Sequence, residues 1–235
     1  MSGKLYLIPT TLGESRIENV IPKLVIDIIN QTNHYIVEDV KTARRYLIKA
    51  GIKAKIDDLT FFTLNKHSSP QEYESYLKPI FENKNIGIIS EAGAPGVADP
   101  GSDIVRIAHE KNIEVVPLVG PSSILLSVMA SGLNGQNFAF NGYLPIQKPD
   151  RIKTLKELEK RSYIEKQTQL FIETPYRNNH LIEDIISACH PETLLCIAAD
   201  ITLETEFIKT KPVKEWKKQV PNLNKRPAIF LLLKQ

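Results

Sequence analysis

The stretch Ile86–Val105, IGIISEAGAPGVADPGSDIV, decides the fold. It opens on a short apolar run and breaks at Ser90 into a loop with two Gly/Pro turns. From Asp103 onward an apolar-periodic segment resumes. A short apolar run bounded by turn residues reads as a strand buried on both faces. Asp99 is a natural helix cap, and Pro100 suits a first helical position because its missing N–H would be unpaired there anyway. Strand, Gly/Pro loop and helix are the parts of a parallel crossover unit.

Outward from this stretch the same alternation repeats. KLYLIPT, HYIVE, FFT and IEVVPLV read as strands. RIENVIPKLVIDIIN has helical spacing at Ile17, Val20, Ile21, Leu24 and Ile28, and is expected to be one helix with Pro22 in its first turns. VKTARRYLIKAG reads as a helix with Gly51 just past its end. SPQEYESYLKPIFEN reads as another, capped by Ser69 with Pro70 at its first position. Strands alternating with helices of this length predict a mostly parallel, doubly wound sheet, with ligands bound beyond the carboxyl ends of the strands. IEVVPLV runs into GPSSILLSVMASG, a second Gly/Pro turn that opens a helix at that edge. A change of register follows over 132–150, which is rich in Gly, Asn and Pro. Beyond it come a charged helix (RIKTLKELEKRS), a strand (TQLFIET), a helix (YRNNHLIEDIISAC) and three more strands (TLLCIAAD, TEFIKT, PAIFLLLK). The expectation is an α/β protein of two domains: residues 1–118 with a mostly parallel sheet, and 119–235 with a mixed sheet.

Composition narrows the class. With 42% hydrophobic and 24% charged residues, the 235-residue chain is that of a folded soluble protein. No apolar run approaches the roughly 20 residues of a membrane span. The N-terminal apolar stretch is too short for a signal peptide, so the cytoplasm is the expected location and no membrane partner is expected. Cys189 and Cys196 are the only cysteines, too few for a disulfide framework or a structural zinc site. No metal is expected, and Cys189-His190 reads as a helix end with a buried thiol. The net charge of +3 is compatible with nucleic acid without arguing for it. The basic clusters KTKPVKEWKK and NLNKR read first as solvated faces, and His67 as a loop histidine.

The loop's chemistry selects its ligand. Gly93 lets a ligand approach the backbone, Ala94 and Ala98 add little bulk, and Pro95 stiffens the turn. Glu91 and Asp99 are the nearby charges, and no Lys, Arg or His lies between Glu91 and Asp103. A phosphate cradle normally adds a basic residue, and a dinucleotide site a G-x-G-x-x-G, which is missing here. The loop suits a ligand with a flat or apolar part, few phosphates and a positive charge. S-adenosylmethionine fits this description, though the fit alone does not identify it.

Taken in order, LYLIPTTLGE, VEDVK, SEAGAPGVADPG, VPLVGPSS, ASGL, GYLP, ETPYR and KRPAIFLL resemble the tetrapyrrole methylase superfamily, the class III S-adenosylmethionine-dependent methyltransferases. The chain looks most like the branch that 2′-O-methylates a cytidine of small-subunit ribosomal RNA. The resemblance implies two α/β domains with the cofactor in a cleft between them, a homodimer, and RNA or the ribosomal subunit as partner. It places Gly93, Ala94 and Val97 against the methionine part of the cofactor, with Ser122 and Ser123 supplying N–H and hydroxyl groups. It places Ile172, Glu173, Ala198, Pro227 and Ala228 around the adenosine; Ile172 and Ala198 read equally well as strand core.

The chain also departs from the branch. PTTLGE stands for P-T-P-I-G-N, VEDVK for A-E-D-T-R and NKHS for H-D-H-N. AADITL stands for A-R-E-L-T-K, which leaves Ala199 and Leu203 where basic residues are expected, and RPA replaces a K-G-E. A ribose hydroxyl is a poor nucleophile when neutral, so a base or polarising group is needed. Glu38, Asp39, Glu173 and Arg177 are the candidates. Asp39 reads equally as a helix cap, and Arg177 as a phosphate contact or a surface ion pair. Two other readings stay open: the same fold acting on a tetrapyrrole or other small molecule, and a non-catalytic RNA-binding module.

Overall fold

The computed structural model describes residues 2–64 and 70–235. The chain divides into two compact units, 1–122 and 123–235. The expected cap Ser69 and the loop histidine His67 lie outside the described residues.

In the first unit the chain runs β1 (Leu5–Ile8), α1 (Ile17–Val20), α2 (Lys23–Ile29), β2 (His34–Val37), α3 (Val40–Lys49) and β3 (Thr60–Thr63). It continues through α4 (Pro70–Tyr76), α5 (Lys78–Phe81), β4 (Ile86–Ile89), α6 (Gly101–Glu110) and β5 (Val115–Pro117). The strands form one sheet in the order β3-β2-β4-β1-β5. Every pairing in it is parallel. Side chains alternate across the strands and build two cores. Ile8, Tyr35, Val37 and Ile89 pack with residues of α1, α2 and α3 on one face. Leu5, Ile36, Ile86 and Ile88 pack with residues of α5 and α6 on the other. Burial on both faces explains why these strands read as apolar runs.

Two expected helices are each broken in two. Pro22 disfavours helical geometry at the residue before it, and Ile21 is extended, with φ −113° and ψ 118°. Pro22 therefore flanks α2 instead of lying inside a longer helix. Pro79 breaks the second helix, because its ring clashes with the carbonyl four residues back and it has no N–H to donate. That helix divides at Leu77 into α4 and α5.

The second unit contains α7 (Ser123–Ser131), β6 (Phe138–Tyr143), α8 (Lys148–Glu165), β7 (Thr168–Ile172) and α9 (Asn178–Ala188). After these come β8 (Leu194–Ala199), β9 (Phe207–Pro212), α10 (Val213–Trp216) and β10 (Ala228–Leu233). The sheet order is β6-β7-β10-β8-β9. β6 and β7 are parallel, and the other pairings are antiparallel. This is the expected mixed sheet. Strand β6 lies inside the Gly-, Asn- and Pro-rich stretch 132–150, for which the sequence predicts no strand; Asn141 and Gly142 interrupt its alternation, and its register with β7 shifts between Phe140 and Tyr143. Phe171, Ile197 and Phe230 form the core with Leu155 of α8, Leu181 and Ile185 of α9, and Trp216. Among the described residues no helix is long and apolar enough to cross a membrane.

Candidate active site

In a parallel sheet all carboxyl ends lie along one edge, so the loops after β1, β4 and β5 meet there. β1 sits between β4 and β5, and its loop ties the other two together. The Thr10 N–H donates to the Gly93 carbonyl at 2.9 Å. That carbonyl also accepts from the Ser90 hydroxyl at 2.8 Å. The Thr10 hydroxyl donates to the Ser90 carbonyl at 3.2 Å. Gly93 has φ +76°, and a Cβ there would lie 3.0 Å from Leu12 Cδ2 and 3.2 Å from the Pro121 carbonyl oxygen. At Gly120 a Cβ would lie 2.3 Å from the Pro9 ring. These glycines let three backbones approach one another in a way no side chain would permit. Helix α6 starts one residue later than expected, at Gly101, with Pro100 and not Asp99 at its N-cap and no side-chain cap. Asp99 instead ties the far end of the loop, its Oδ1 accepting from the N–H groups of Gly101 at 2.7 Å and Gly96 at 3.3 Å. Ala94 is half-buried and Val97 exposed in the same loop. Ser122 closes the first unit, and Ser123 opens α7 in the second.

Beside this junction lies a cavity of about 330 Å³, lined by Leu12, Glu14, Arg45, Lys49 and Glu91 among others. The basic groups missing from the glycine loop itself thus come from α3. Lys49 reaches Glu14 at 3.3 Å. Asp39 is occupied as a cap: its Oδ1 accepts from the Thr42 N–H at 2.7 Å and hydroxyl at 3.0 Å, and these bonds hold its carboxyl below the usual range. Glu38 precedes it at the same edge. Glu91 behaves in the opposite way. Glu91 stays exposed on one side, but partial desolvation, and then the charge of Asp39, push its carboxyl above the usual range, against hydrogen bonds from Thr42 and the Asp39 backbone. Sequence reasoning noted Glu91 as a loop charge but did not nominate it. Its distinguishing feature is the proximity of Asp39, which comes from a distant part of the chain.

The second-unit candidates cluster at the carboxyl ends of β7 and β8, where β10 begins. Ile229 pairs with Ile172 on one side and Ala198 on the other. The three therefore share one face of the sheet. Ala198 is fully buried and Ile172 partly so. Ala228 pairs with Ala199, and the Pro227 carbonyl accepts from the Asp200 N–H at 2.9 Å. Glu173, its side chain only 2% exposed, pairs with Arg177 at 2.6 Å. Burial alone would raise the Glu173 carboxyl. Hydrogen bonds from Arg177 and the Thr174 N–H prevail and hold it low. Arg177 Nε and Asn178 Oδ1 are buried without a hydrogen-bond partner. Near the positions that lack the branch's usual charges, the chain has a pair of its own: Arg226 meets Asp200 at 2.6 Å. Among the described residues no group of three or more His, Cys, Asp or Glu could hold a metal ion.

No family model matches the chain. Ribosomal RNA small subunit methyltransferase I of Escherichia coli O157:H7 is 30% identical over 233 residues, which cover 98% of this chain and 77% of that protein. The chain belongs to the ribosomal RNA small subunit methyltransferase I family. It is a methyltransferase, as the motifs implied. Solved structures place this methyltransferase in the same fold as two others. Methyltransferase CobJ matches with TM-score 0.65 and 16% identity, over 99% of this chain and 95% of that one. Cobalt precorrin-4 methyltransferase CbiF, a cobalamin biosynthetic enzyme, matches with TM-score 0.63 and 15% identity, over 98% and 94%.

Proposed function

We propose that this methyltransferase uses S-adenosylmethionine to methylate a ribose 2′-hydroxyl of small-subunit ribosomal RNA. The observation that carries the reading is the near full-length match to a ribosomal RNA methyltransferase. The position of the Gly93 loop at the carboxyl edge of the parallel sheet, tied there by the Thr10 N–H to the Gly93 carbonyl, supports a ligand seated on it. Gly93, Ala94, Val97, Ser122 and Ser123 are the proposed contacts of the methionine part. Ile172, Glu173, Ala198, Pro227 and Ala228 are the proposed contacts of the adenosine. The unpartnered Arg177 Nε and Asn178 Oδ1 next to Glu173 support a polar ligand there.

When bound, S-adenosylmethionine supplies an electrophilic methyl on a sulfonium. The chain's own part is to align the acceptor and take its proton. Glu91 suits the second task better than Asp39, whose Oδ1 is committed to capping α3. A carboxylate with a raised pKa is a stronger base, and Glu91 lines a cavity with Arg45 and Lys49 that could hold the flanking phosphates. The proposed location is the cytoplasm.

A homodimer is also proposed. It is supported by the apolar surface of α7, where Leu125 is 55% and Met129 77% exposed. Sedimentation should give twice the 26.5 kDa chain mass; a single 26.5 kDa species at micromolar concentration counts against it.

The test of the activity is incubation with methyl-labelled S-adenosylmethionine and either unmodified small ribosomal subunits or a tetrapyrrole. Label should enter the small-subunit RNA at a ribose. Label in the tetrapyrrole alone would transfer the assignment to small molecules.

A further inference from the structure

The edge of the second sheet carries a feature that the reaction does not use. The segment Lys209–Lys218 holds five lysines against one glutamate, an excess greater than the +3 net charge of the whole chain. Its fold turns most of these charges outward. β9 is an edge strand, paired only with β8. α10 is anchored through buried Val213 and Trp216, and the Trp216 indole N–H donates to the Leu195 carbonyl at 3.1 Å. With those two positions facing inward, Lys214, Lys217 and Lys218 are exposed. The Lys211 ammonium lies 5.1 Å from the centre of the Trp216 ring. Lys211, Lys214, Glu215, Lys218 and Gln219 line a groove of about 420 Å³.

Most of this charge is uncompensated. Lys214 pairs with Glu192 at 2.6 Å, both side chains being at least half exposed. Among the described residues no carboxylate lies within ion-pair distance of Lys209, Lys211, Lys217 or Lys218. Lysines on an edge strand commonly guard against pairing with another chain. That accounts for Lys209 and Lys211, but not for Lys214, Lys217 and Lys218, which follow the strand.

We infer that the β9–α10 groove is a docking surface for the phosphate backbone of RNA, separate from the cavity beside Glu91. The inference rests on the ribosomal RNA reading of the active site. Lysine ammoniums bind phosphates as point charges without reading sequence. The groove's lining is charged and polar, and its two large apolar anchors, Val213 and Trp216, point into the core. A helix that inserts into a lipid surface would instead present them outward.

The test compares the wild-type protein with Lys211→Gln/Lys218→Gln. Lys53→Gln/Lys55→Gln, an exposed pair in the first unit, serves as a control of equal charge change. Binding to small-subunit ribosomal RNA is measured across a salt series, with methyl-transfer kinetics alongside. The groove variant should bind roughly tenfold more weakly, and its log–log salt slope should be shallower by about 1.4, the loss of two phosphate contacts on a single strand. Its KM for RNA should rise while kcat and the affinity for S-adenosylmethionine stay unchanged, and the control should match wild type. If wild type binds RNA with steep salt dependence and the groove variant is identical to it, the groove inference fails and the RNA reading stands. If wild type itself shows no salt-dependent RNA binding, both fail. Phosphatidylserine vesicles form a second arm: charge-dependent binding there, without any on RNA, would reassign the groove to a membrane and overturn the inference.

Discussion

At the carboxyl edge of the first sheet, the loops after β1, β4 and β5 are joined by backbone groups, with Gly93 and Gly120 leaving no room for a side chain. At the end of β7 and β8 in the second unit, the candidate residues are held by side chains: Glu173 to Arg177, and Asp200 to Arg226. The first arrangement depends on shape and hardly on pH or salt. The second depends on charge, so a new pair can replace an old one. The superfamily's pattern follows this division in part: PTTLGE, a departure, supplies Thr10 and Leu12 to the junction, and ETPYR, which is kept, supplies Glu173 and Arg177. SEAGAPGVADPG and VPLVGPSS serve the backbone junction, whereas AADITL and KRPA contribute the ionic edge.

The largest expected effect strikes the backbone junction. Gly120→Val drives a side chain into Pro9, and Gly93→Val adds a β-branched residue at φ +76°. Overpacking of this kind costs about 1–3 kcal/mol, and strain at a positive φ costs a similar amount. Both variants should lose S-adenosylmethionine binding in calorimetry and melt at lower temperature. Wild-type affinity in a folded Gly93→Val protein would remove the loop from the site.

Next comes Glu91→Gln, with kcat reduced by roughly a hundredfold or more, as for loss of a general base, and little change in cofactor affinity. Because the Glu91 carboxyl is raised, the acidic limb of the wild-type rate profile should lie above the ordinary value of 4.5, and the variant should lack that limb. A matching contribution to stability has a definite sign. Where the folded carboxyl holds its proton more tightly than the unfolded one, lowering the pH through that window favours the fold. An unchanged rate profile would return attention to Glu38 and Asp39.

Glu173→Gln should cost about 1–2 kcal/mol, less than a fully buried pair because Arg177 is 38% exposed. The Glu173 carboxyl is depressed, so its contribution is present above pH 4.5 and lost as the pH falls through the lower folded value. Urea unfolding of wild type and variant should therefore converge in acid. A gap that persists there would mean that packing, not charge, holds this edge.

The smallest effect belongs to the loop after β8, where Thr202 has φ +72°. Thr202→Gly should stabilise by about 0.5–1 kcal/mol, since relief of a β-branched residue in the left-handed region exceeds the entropic cost of glycine. A lower melting temperature would show that the Thr202 side chain contributes more than its backbone costs.

The parallel sheet was legible because strands buried on both faces have a distinctive apolar pattern and Gly/Pro loops mark their ends. Local signals also gave the Asp39 cap of α3 and the division into two α/β units. What escaped was set by contacts distant in sequence. β6 is held as a strand by pairing with β7 despite Asn141 and Gly142. The Glu91 carboxyl is raised first by desolvation and then by the charge of Asp39, both of them products of the fold. The breaks at Pro22 and Leu77 are signalled locally by Pro22 and Pro79, whose sterics override the helical spacing around them.

Synthesis imposes an order that the finished sheet conceals. β1 is made before either of its neighbours, yet it lies between β4 and β5, pairing Leu5 with Ile86 and Val115. About 110 residues must be translated before its second neighbour exists, roughly 5 to 20 seconds at ordinary elongation rates. Until β4 is made, LYLI is an apolar strand with both edges open; from then until Val115 its second edge stays open, and the Pro9–Thr10 turn still lacks Gly120. The nascent chain is therefore most exposed to misassociation before Val115 appears, and truncation anywhere between β4 and β5 should produce an aggregating fragment.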